Sequence, residues 1–268
     1  MTFKKRIAEK AGIKEELLPS SYQLIGNVML LKFMRIKSLN KKKVVASAIL
    51  ETFPYVKTVC EIKGIYKEFR IPKVRKLAGK RTVAIHKEHG ILYKFDVSKI
   101  MFSKGNLFER QRLLKQIKKD EIVVDMFAGI GYFSLSIAKK CKKIYAIEKN
   151  PVAFNYLKEN IRLNKIKNIE PILGDCRKVK LDEKADRIIM GYFQGTEKFI
   201  PSALRLLKKD GIIHFHNTYR EDELWTKPMI DIKKTITNYK ILNKKIVKSI
   251  APKTYHVVID ISVTKGRN

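Results

Sequence analysis

Two rhythms of apolar and polar positions run along the chain. From Tyr22 to about Phe95 the apolar residues fall in short runs. YQLIGNVMLLKF reads as a strand, and KKVVASAILETF has helical spacing and stops at Pro54. VKTVCEIKG, YKEFRI and TVAIHKEHGILYKFDV read as strands, with KEHG as a turn inside the last. From about residue 100 the pattern becomes strand, glycine turn, helix, repeated. NLFERQRLLKQI predicts a helix that Asn106 caps, with Glu109 completing a capping box. EIVVDMF predicts a strand, GYFSLSIAKKC a helix, KIYAIEK a strand, and PVAFNYLKENIRLNK a helix with proline in its first turn. IEPILGD and ADRIIMGYF follow as strands, TEKFIPSALRLLKKDG as a helix closed by glycine, and IIHFHNTY as a strand. YKILNKKIVKSI and PKTYHVVIDISV are strands with almost nothing between them, so an antiparallel pair should finish the sheet.

Strands that alternate with helices imply an α/β fold with a parallel sheet and right-handed crossovers. The change of rhythm divides the chain into a smaller amino-terminal α/β domain, residues 1–98, and a larger domain, residues 99–268.

Composition narrows the class. The chain has 268 residues, 45% of them hydrophobic, enough to bury a substantial core. No apolar run approaches the roughly 20 residues of a membrane span, and the start, MTFKKRIAEKAGIKEELL, is amphipathic and carries acids, unlike a signal peptide. Cys60, Cys141 and Cys176 are far apart and odd in number, against a disulfide framework or clustered metal ligands. These features lead us to expect a cytoplasmic protein without a membrane or metal partner, and we further expect a monomer. The formal net charge is +32, a self-repulsion that a polyanionic partner offsets; a lysine-rich, solvated surface is the other reading. Residues 1–94 carry 22 basic against 7 acidic side chains, so the excess is denser in the first third. Nucleic acid is the natural partner, held mainly by the amino-terminal domain.

The candidate chemistry lies in VVDMFAGIGYFS, residues 123–134. In an open parallel sheet, ligands sit beyond the carboxyl ends of the strands. Gly129 and Gly131 allow backbone to approach a ligand there. Glu148 in IYAIEK ends the next strand, where a carboxylate takes both ribose hydroxyls of an adenosine. Asp175 in ILGDC ends the following strand, placed to accept from an adenine amino group, and Cys176 contributes its backbone there. A dinucleotide loop meets pyrophosphate, which Asp125 would repel. S-adenosylmethionine has no phosphate and carries a positive sulfonium and ammonium, so Asp125 suits its methionine end, directly or through water.

The sequence resembles the class I S-adenosylmethionine-dependent transferases, which implies a Rossmann-like catalytic domain. It is more closely similar to one tRNA-modifying branch, through FSKGNLFERQR, DMFAGIGYFS, IEKNPVAFNYLKENIRLN, GDCR and SIAPKTYHVVIDISV. YQLIGNVMLLK, PYVKTVCEIKGI and TVAIHKEHGILYKFDVSK are similar to that branch's amino-terminal domain. Two activities share the architecture. One methylates N1 of the guanosine 3′ to the tRNA anticodon. The other, the wybutosine-synthesising aminocarboxypropyltransferases, moves the 3-amino-3-carboxypropyl group of S-adenosylmethionine onto 4-demethylwyosine at position 37 of tRNA(Phe). SKGN at 103–106, where the methyltransferases have SPRL, and MGYF at 190–193, where they have an Asn-Leu-Pro type motif, resemble the second group.

That resemblance implies S-adenosylmethionine as the aminocarboxypropyl donor, the anticodon region of tRNA as partner, and methylthioadenosine as product. It further implies that Ser103 and Arg110 hold the methionine chain, Arg110 through its carboxylate, and that Phe127 packs near the adenosine. The alternatives are guanine-N1 methylation at the same nucleotide and a noncatalytic RNA-binding protein. No general base is assigned. His214 and His216 are read as alternating across their strand, so that only one faces the pocket, with Asn217 and Glu221 near the same strand end. Tyr132, Phe133, Tyr192 and Phe193 are candidate stacking surfaces, Phe133 the first of them to be expected in the core. His86 and His89 in HKEH lack a third ligand type nearby and read as hairpin residues.

Overall fold

The computed structural model describes residues 2–66 and 71–264. The chain forms two compact units, Met1–Phe102 and Ser103–Asn268. In the first, helix α1 (Phe3–Ala11) opens on Thr2, which accepts from the Lys5 amide. The single strand expected over YQLIGNVMLLKF is a hairpin of β1 (Tyr22–Ile25) and β2 (Val28–Leu31), folded at Gly26 with φ 53°. Glycine is required at that turn because a Cβ would lie 2.3 Å from the Ile85 carbonyl oxygen. Helix α2 (Leu39–Thr52) then crosses over, and β3 (Thr58–Tyr66) returns parallel to β2 with β4 (Ile71–Gly79) antiparallel beside it. The YKEFRI strand falls largely on residues 67–70, outside the described residues. β5 (Val83–Glu88) and β6 (Ile91–Asp96) form a separate hairpin whose turn, His89 and Gly90, has two positive φ angles. Ile7, Met29, Val45, Ile49 and Val59 close the core between the two helices and the sheet.

The second unit has a seven-stranded sheet. Its parallel strands are β7 (Ile122–Asp125), β8 (Lys143–Glu148), β9 (Ile169–Leu173), β10 (Ala185–Met190) and β11 (Leu207–Arg220). The expected antiparallel finish is β12 (Tyr239–Ala251) with β13 (Thr254–Thr264). The strand order is β12-β13-β11-β10-β7-β8-β9. The chain winds outward from β7 to β9 and then restarts at β10, on the other side of β7. The order therefore reverses between β7 and β10, which opens a crevice at their carboxyl ends.

Helices α3 (Leu107–Gln116), α4 (Ser134–Ile137), α5 (Pro151–Leu163), α6 (Ile200–Leu206) and α7 (Lys227–Lys233) complete the unit. Three differ from the sequence reading. α4 is a single turn, because the backbone before it is spent on the glycine turn. α6 stops before its expected glycine: Leu207 is captured by parallel pairing with Ala185, and Gly211 lies inside β11. The Asn106 side chain makes no capping bond to α3, and Glu109 turns to Arg112. Helix α7 was not anticipated from the apolar pattern. No helix among the described residues is long and apolar enough to cross a membrane.

A chain of buried charges ties α3 to the sheet. Arg187 on β10 donates to both oxygens of Glu121, at 3.0 and 2.7 Å, and to His214 Nε2 at 2.8 Å. A guanidinium only donates, so His214 Nε2 carries the lone pair and Nδ1 donates to Asp260 at 2.6 Å. Asp260 accepts in turn from Arg112, which also holds Glu109. Burial alone would raise the Asp260 carboxyl, but the His214 and Arg112 hydrogen bonds hold it far below the usual carboxylate range. Asp260→Asn strips the charge that compensates Arg112 inside the unit. It should destabilise the protein by about 3–5 kcal/mol, read from the urea midpoint at neutral pH. An unchanged midpoint would show that the network is dispensable.

Candidate active site

The glycine turn after β7 is held from both sides of the crevice. The Met126 amide donates to the Ile189 carbonyl on β10 at 3.0 Å, and the Ala128 amide to Ile147 on β8 at 2.9 Å. Gly129 and Gly131 have φ of 58° and 97°. A Cβ on Gly129 would lie 2.5 Å from the Tyr132 ring, which covers this turn, and one on Gly131 would meet Leu135 at 2.6 Å. The two glycines thus serve both the left-handed backbone and the close packing behind it.

Glu148, at the end of β8, clamps this turn. One carboxylate oxygen accepts from the Gly129 amide at 2.7 Å and the other from the Asn150 amide at 2.6 Å. Each oxygen keeps acceptor capacity beyond that single bond. Asp125 is wholly buried, one oxygen accepting from Ser134 Oγ at 2.7 Å and the other from the Phe127 amide at 3.4 Å. Its carboxylate therefore stands behind the turn, braced by the first residue of α4. Burial pushes Asp125 up from 3.8 to about 6, with the charge of Glu148 adding to the rise and the Ser134 bond opposing it. Burial raises Glu148 as well. In both, burial is the main cause, because a carboxylate removed from water is harder to ionise.

The third acid has a different setting. Asp175, in the turn after β9, is gripped by Arg177, whose side-chain hydrogen bonds are the main cause that lowers its carboxyl to about 2. The same guanidinium lies 5.2 Å from the Phe199 ring centroid. Phe127 stacks on Tyr192 at 5.2 Å and meets Phe199 edge-on at 5.0 Å, so an aromatic wall bridges the turns after β7 and β10. Cys176 is buried and its thiol is pushed up to about 12 by burial, which leaves it inert; its carbonyl accepts from Arg205 at 3.2 Å. Arg177 closes the GDCR motif but has no role in the sequence reading, and Arg205 and Phe199 carry no recognisable signal.

Ser103 precedes α3 by four residues and Arg110 lies in the first turn of α3, which packs beside α4. Arg110 is 3% exposed, and its Nη1 reaches the Ser103 carbonyl at 3.5 Å. A residue that the sequence reading missed joins them: Lys248 on β12 donates to Ser103 Oγ at 2.6 Å. They are 145 residues apart, and no local pattern pairs them.

The histidines correct an expectation. His214 and His216 are two apart on a strand, so both point to the same face, with Phe215 in the core on the other. Both are fully buried toward α3: His214 in the charge network, His216 with Nδ1 3.0 Å from His256 Nε2 and Nε2 3.6 Å from Glu109. Burial lowers the pKa of each. Asn217 donates to Glu197 and Tyr219, and Glu221, on the exposed rim, accepts from Tyr255. Phe133 is 5% exposed and packs where a Cβ on Gly191 would come within 2.9 Å of its ring, whereas Tyr132, Tyr192 and Phe193 are half-buried. His86 accepts from the Gly26 amide at 3.3 Å.

The Asp125 shift has a direction that can be measured. A carboxyl whose folded pKa is raised favours folding while protonated, so this contribution is complete below about pH 3.8 and is lost as pH rises through 6. Relative to the wild type, Asp125→Asn should gain stability between about pH 4 and pH 7, by at most on the order of 3 kcal/mol. Urea unfolding across that range gives the difference curve, and a flat curve contradicts the assignment.

Residues 84–243 match the TRM5/TYW2 methyltransferase domain and residues 4–82 the TYW2 N-terminal domain. The junction of these matches precedes the β5–β6 hairpin, which by compactness goes with the first unit. The chain is 43% identical, over 89% of its length and 96% of the relative's, to a tRNA(Phe) (4-demethylwyosine(37)-C(7)) aminocarboxypropyltransferase of Methanocaldococcus jannaschii. It is 35% identical, over 96% of its length and 79% of the relative's, to the tRNA (guanine(37)-N(1))-methyltransferase Trm5b of Pyrococcus abyssi. Among solved structures it is similar to P. horikoshii TYW2 in complex with MeSAdo, with a TM-score of 0.87 and 41% identity over 98% of this chain and all of the other. The Rossmann-like sheet, the glycine turn at its switch point and these matches agree: the chain belongs to the TRM5/TYW2 family of S-adenosylmethionine-dependent transferases.

Proposed function

We propose that this protein transfers the 3-amino-3-carboxypropyl group of S-adenosylmethionine to 4-demethylwyosine at position 37 of tRNA(Phe), releasing methylthioadenosine. The observation that carries the reading is the pair of buried carboxylates at one glycine turn. Glu148 keeps acceptor capacity on both oxygens for a vicinal diol, and Asp125, buried behind the turn, supplies negative potential that would repel a phosphate. These residues fit a cationic sulfur nucleoside. The Phe127 and Tyr192 rings offer flat apolar surface for its base, and Asp175, held by Arg177, borders the same side of the crevice.

When bound, S-adenosylmethionine would supply a sulfonium whose methionine γ carbon accepts the electron pair of a ring carbon as its bond to sulfur breaks, the sulfur leaving as methylthioadenosine and the ring carbon losing its proton to solvent. This protein's residues decide which of the three carbons on sulfur is presented. Ser103 and Arg110 orient the methionine chain from α3, and the glycine turn fixes the nucleoside end, so orientation selects the γ carbon over the unhindered methyl. Gly191, against which Phe133 packs, leaves the strand end without a polar side chain of the kind that would orient a nitrogen nucleophile. Guanine-N1 methylation is the second reading, supported by 35% identity to a methyltransferase of that specificity.

Incubation with tRNA and S-adenosylmethionine labelled separately on the methyl and the carboxypropyl carbons distinguishes the two. The carboxypropyl label should enter RNA with methylthioadenosine as the sulfur product; methyl label in RNA with S-adenosylhomocysteine would refute the proposal. The basic amino-terminal unit contributes to tRNA binding through phosphate contacts, which release counterions. Affinity for tRNA should fall steeply between about 50 and 200 mM salt, by a factor of ~10³ if about six phosphates are contacted, while affinity for S-adenosylmethionine changes little. Filter binding and calorimetry over that range check both, and a shallow tRNA slope would remove this role from the lysines.

A further inference from the structure

We infer that Lys248, reaching across from β12, is a donor-site residue that recognises the carboxylate of the methionine chain together with Ser103 and Arg110. The inference rests on the reading of this crevice as an S-adenosylmethionine site and adds to it the group that identifies the transferred fragment. An ammonium only donates, so in the 2.6 Å contact Ser103 Oγ is the acceptor. The serine hydroxyl hydrogen is therefore directed away from Lys248, and in the proposed site it would donate to the ligand carboxylate. Arg110 Nη1 reaches the backbone carbonyl of the same serine at 3.5 Å. One residue thus gathers two cationic side chains and one hydroxyl donor, a set that matches a carboxylate in charge and hydrogen-bonding sense.

The local backbone serves this arrangement. The Lys248 side chain lies along Gly105, where a Cβ would come within 3.0 Å of its Cδ. Glycine at the third position of SKGN therefore keeps clear the path by which the lysine reaches the first. An arginine at that position, as in SPRL, places a side chain in the same path. The position of Lys248 is itself secured: it pairs with His256 on β13, and β13 carries Asp260, which anchors α3 through Arg112. Strand and helix are thus held in mutual register at both ends of the contact. Arg110 is almost fully buried and Ser103 and Lys248 are half-buried, which suits a small carboxylate inside the crevice better than a solvated RNA phosphate.

Calorimetry on the full-length protein tests this with three ligands: S-adenosylmethionine, its decarboxylated analogue, and methylthioadenosine, which lacks the methionine chain. The wild type should prefer S-adenosylmethionine to the decarboxylated analogue by about tenfold or more. Lys248→Met should lose most of that preference, with unchanged affinity for methylthioadenosine as evidence of an intact nucleoside site, and Lys248→Arg should recover part of it. Undiminished preference in Lys248→Met overturns the inference. So does an equal loss for all three ligands, which would make Lys248 only structural, or a loss confined to tRNA affinity, which would make it a phosphate contact. If the wild type bound none of the three ligands, the reading of the crevice itself would fall first.

Discussion

Everything at the carboxyl end of the sheet depends on how α3 is seated. This helix follows the SKGN segment, and it is held by a buried line of charge running from Glu121 through Arg187, His214, Asp260 and Arg112 to Glu109. Taking so many charged groups from water is costly, and the mutual hydrogen bonds recover that cost only in one geometry. An apolar contact would tolerate sliding by a fraction of a turn. The ionic line does not, because each inner member is held between two partners and a slide would break hydrogen bonds on both sides. That constraint fixes where α3 begins, and with it Ser103 and Arg110.

The second constraint is electrostatic and sits across the crevice. Glu148 and Asp125 have raised proton affinities while they brace the glycine turn by hydrogen bonds. The acids thus hold the backbone conformation that the glycines permit. The Cys176 thiol, the buried histidines and the Asn217 cluster are interior features that shape the surrounding wall.

The charge of +32 acts on a longer scale. Its excess is denser over the amino-terminal third, while in the second unit Glu148 and the buried Asp125 sit at one glycine turn.

The strand-and-helix alternation, the AGIG turn, and the acids at 125, 148 and 175 were legible in the sequence, because periodicity and glycine placement are local properties that tertiary contacts only confirm. The resemblance in SKGNLFER and MGYF added the reaction class for the same reason: the motifs are contiguous. What only the tertiary structure decided involves residues far apart in the chain. The early end of α6 comes from strand pairing at Leu207, and Glu109 exchanges its capping role for Arg112. That His214 and His216 share a face follows from the strand period alone, but their capture by the charge network and by His256 does not. Lys248 meets Ser103 only because β12 and β13 fold back on the sheet. A linear pattern records which face a residue occupies; it does not record which distant side chain waits there, since that depends on strand order and register.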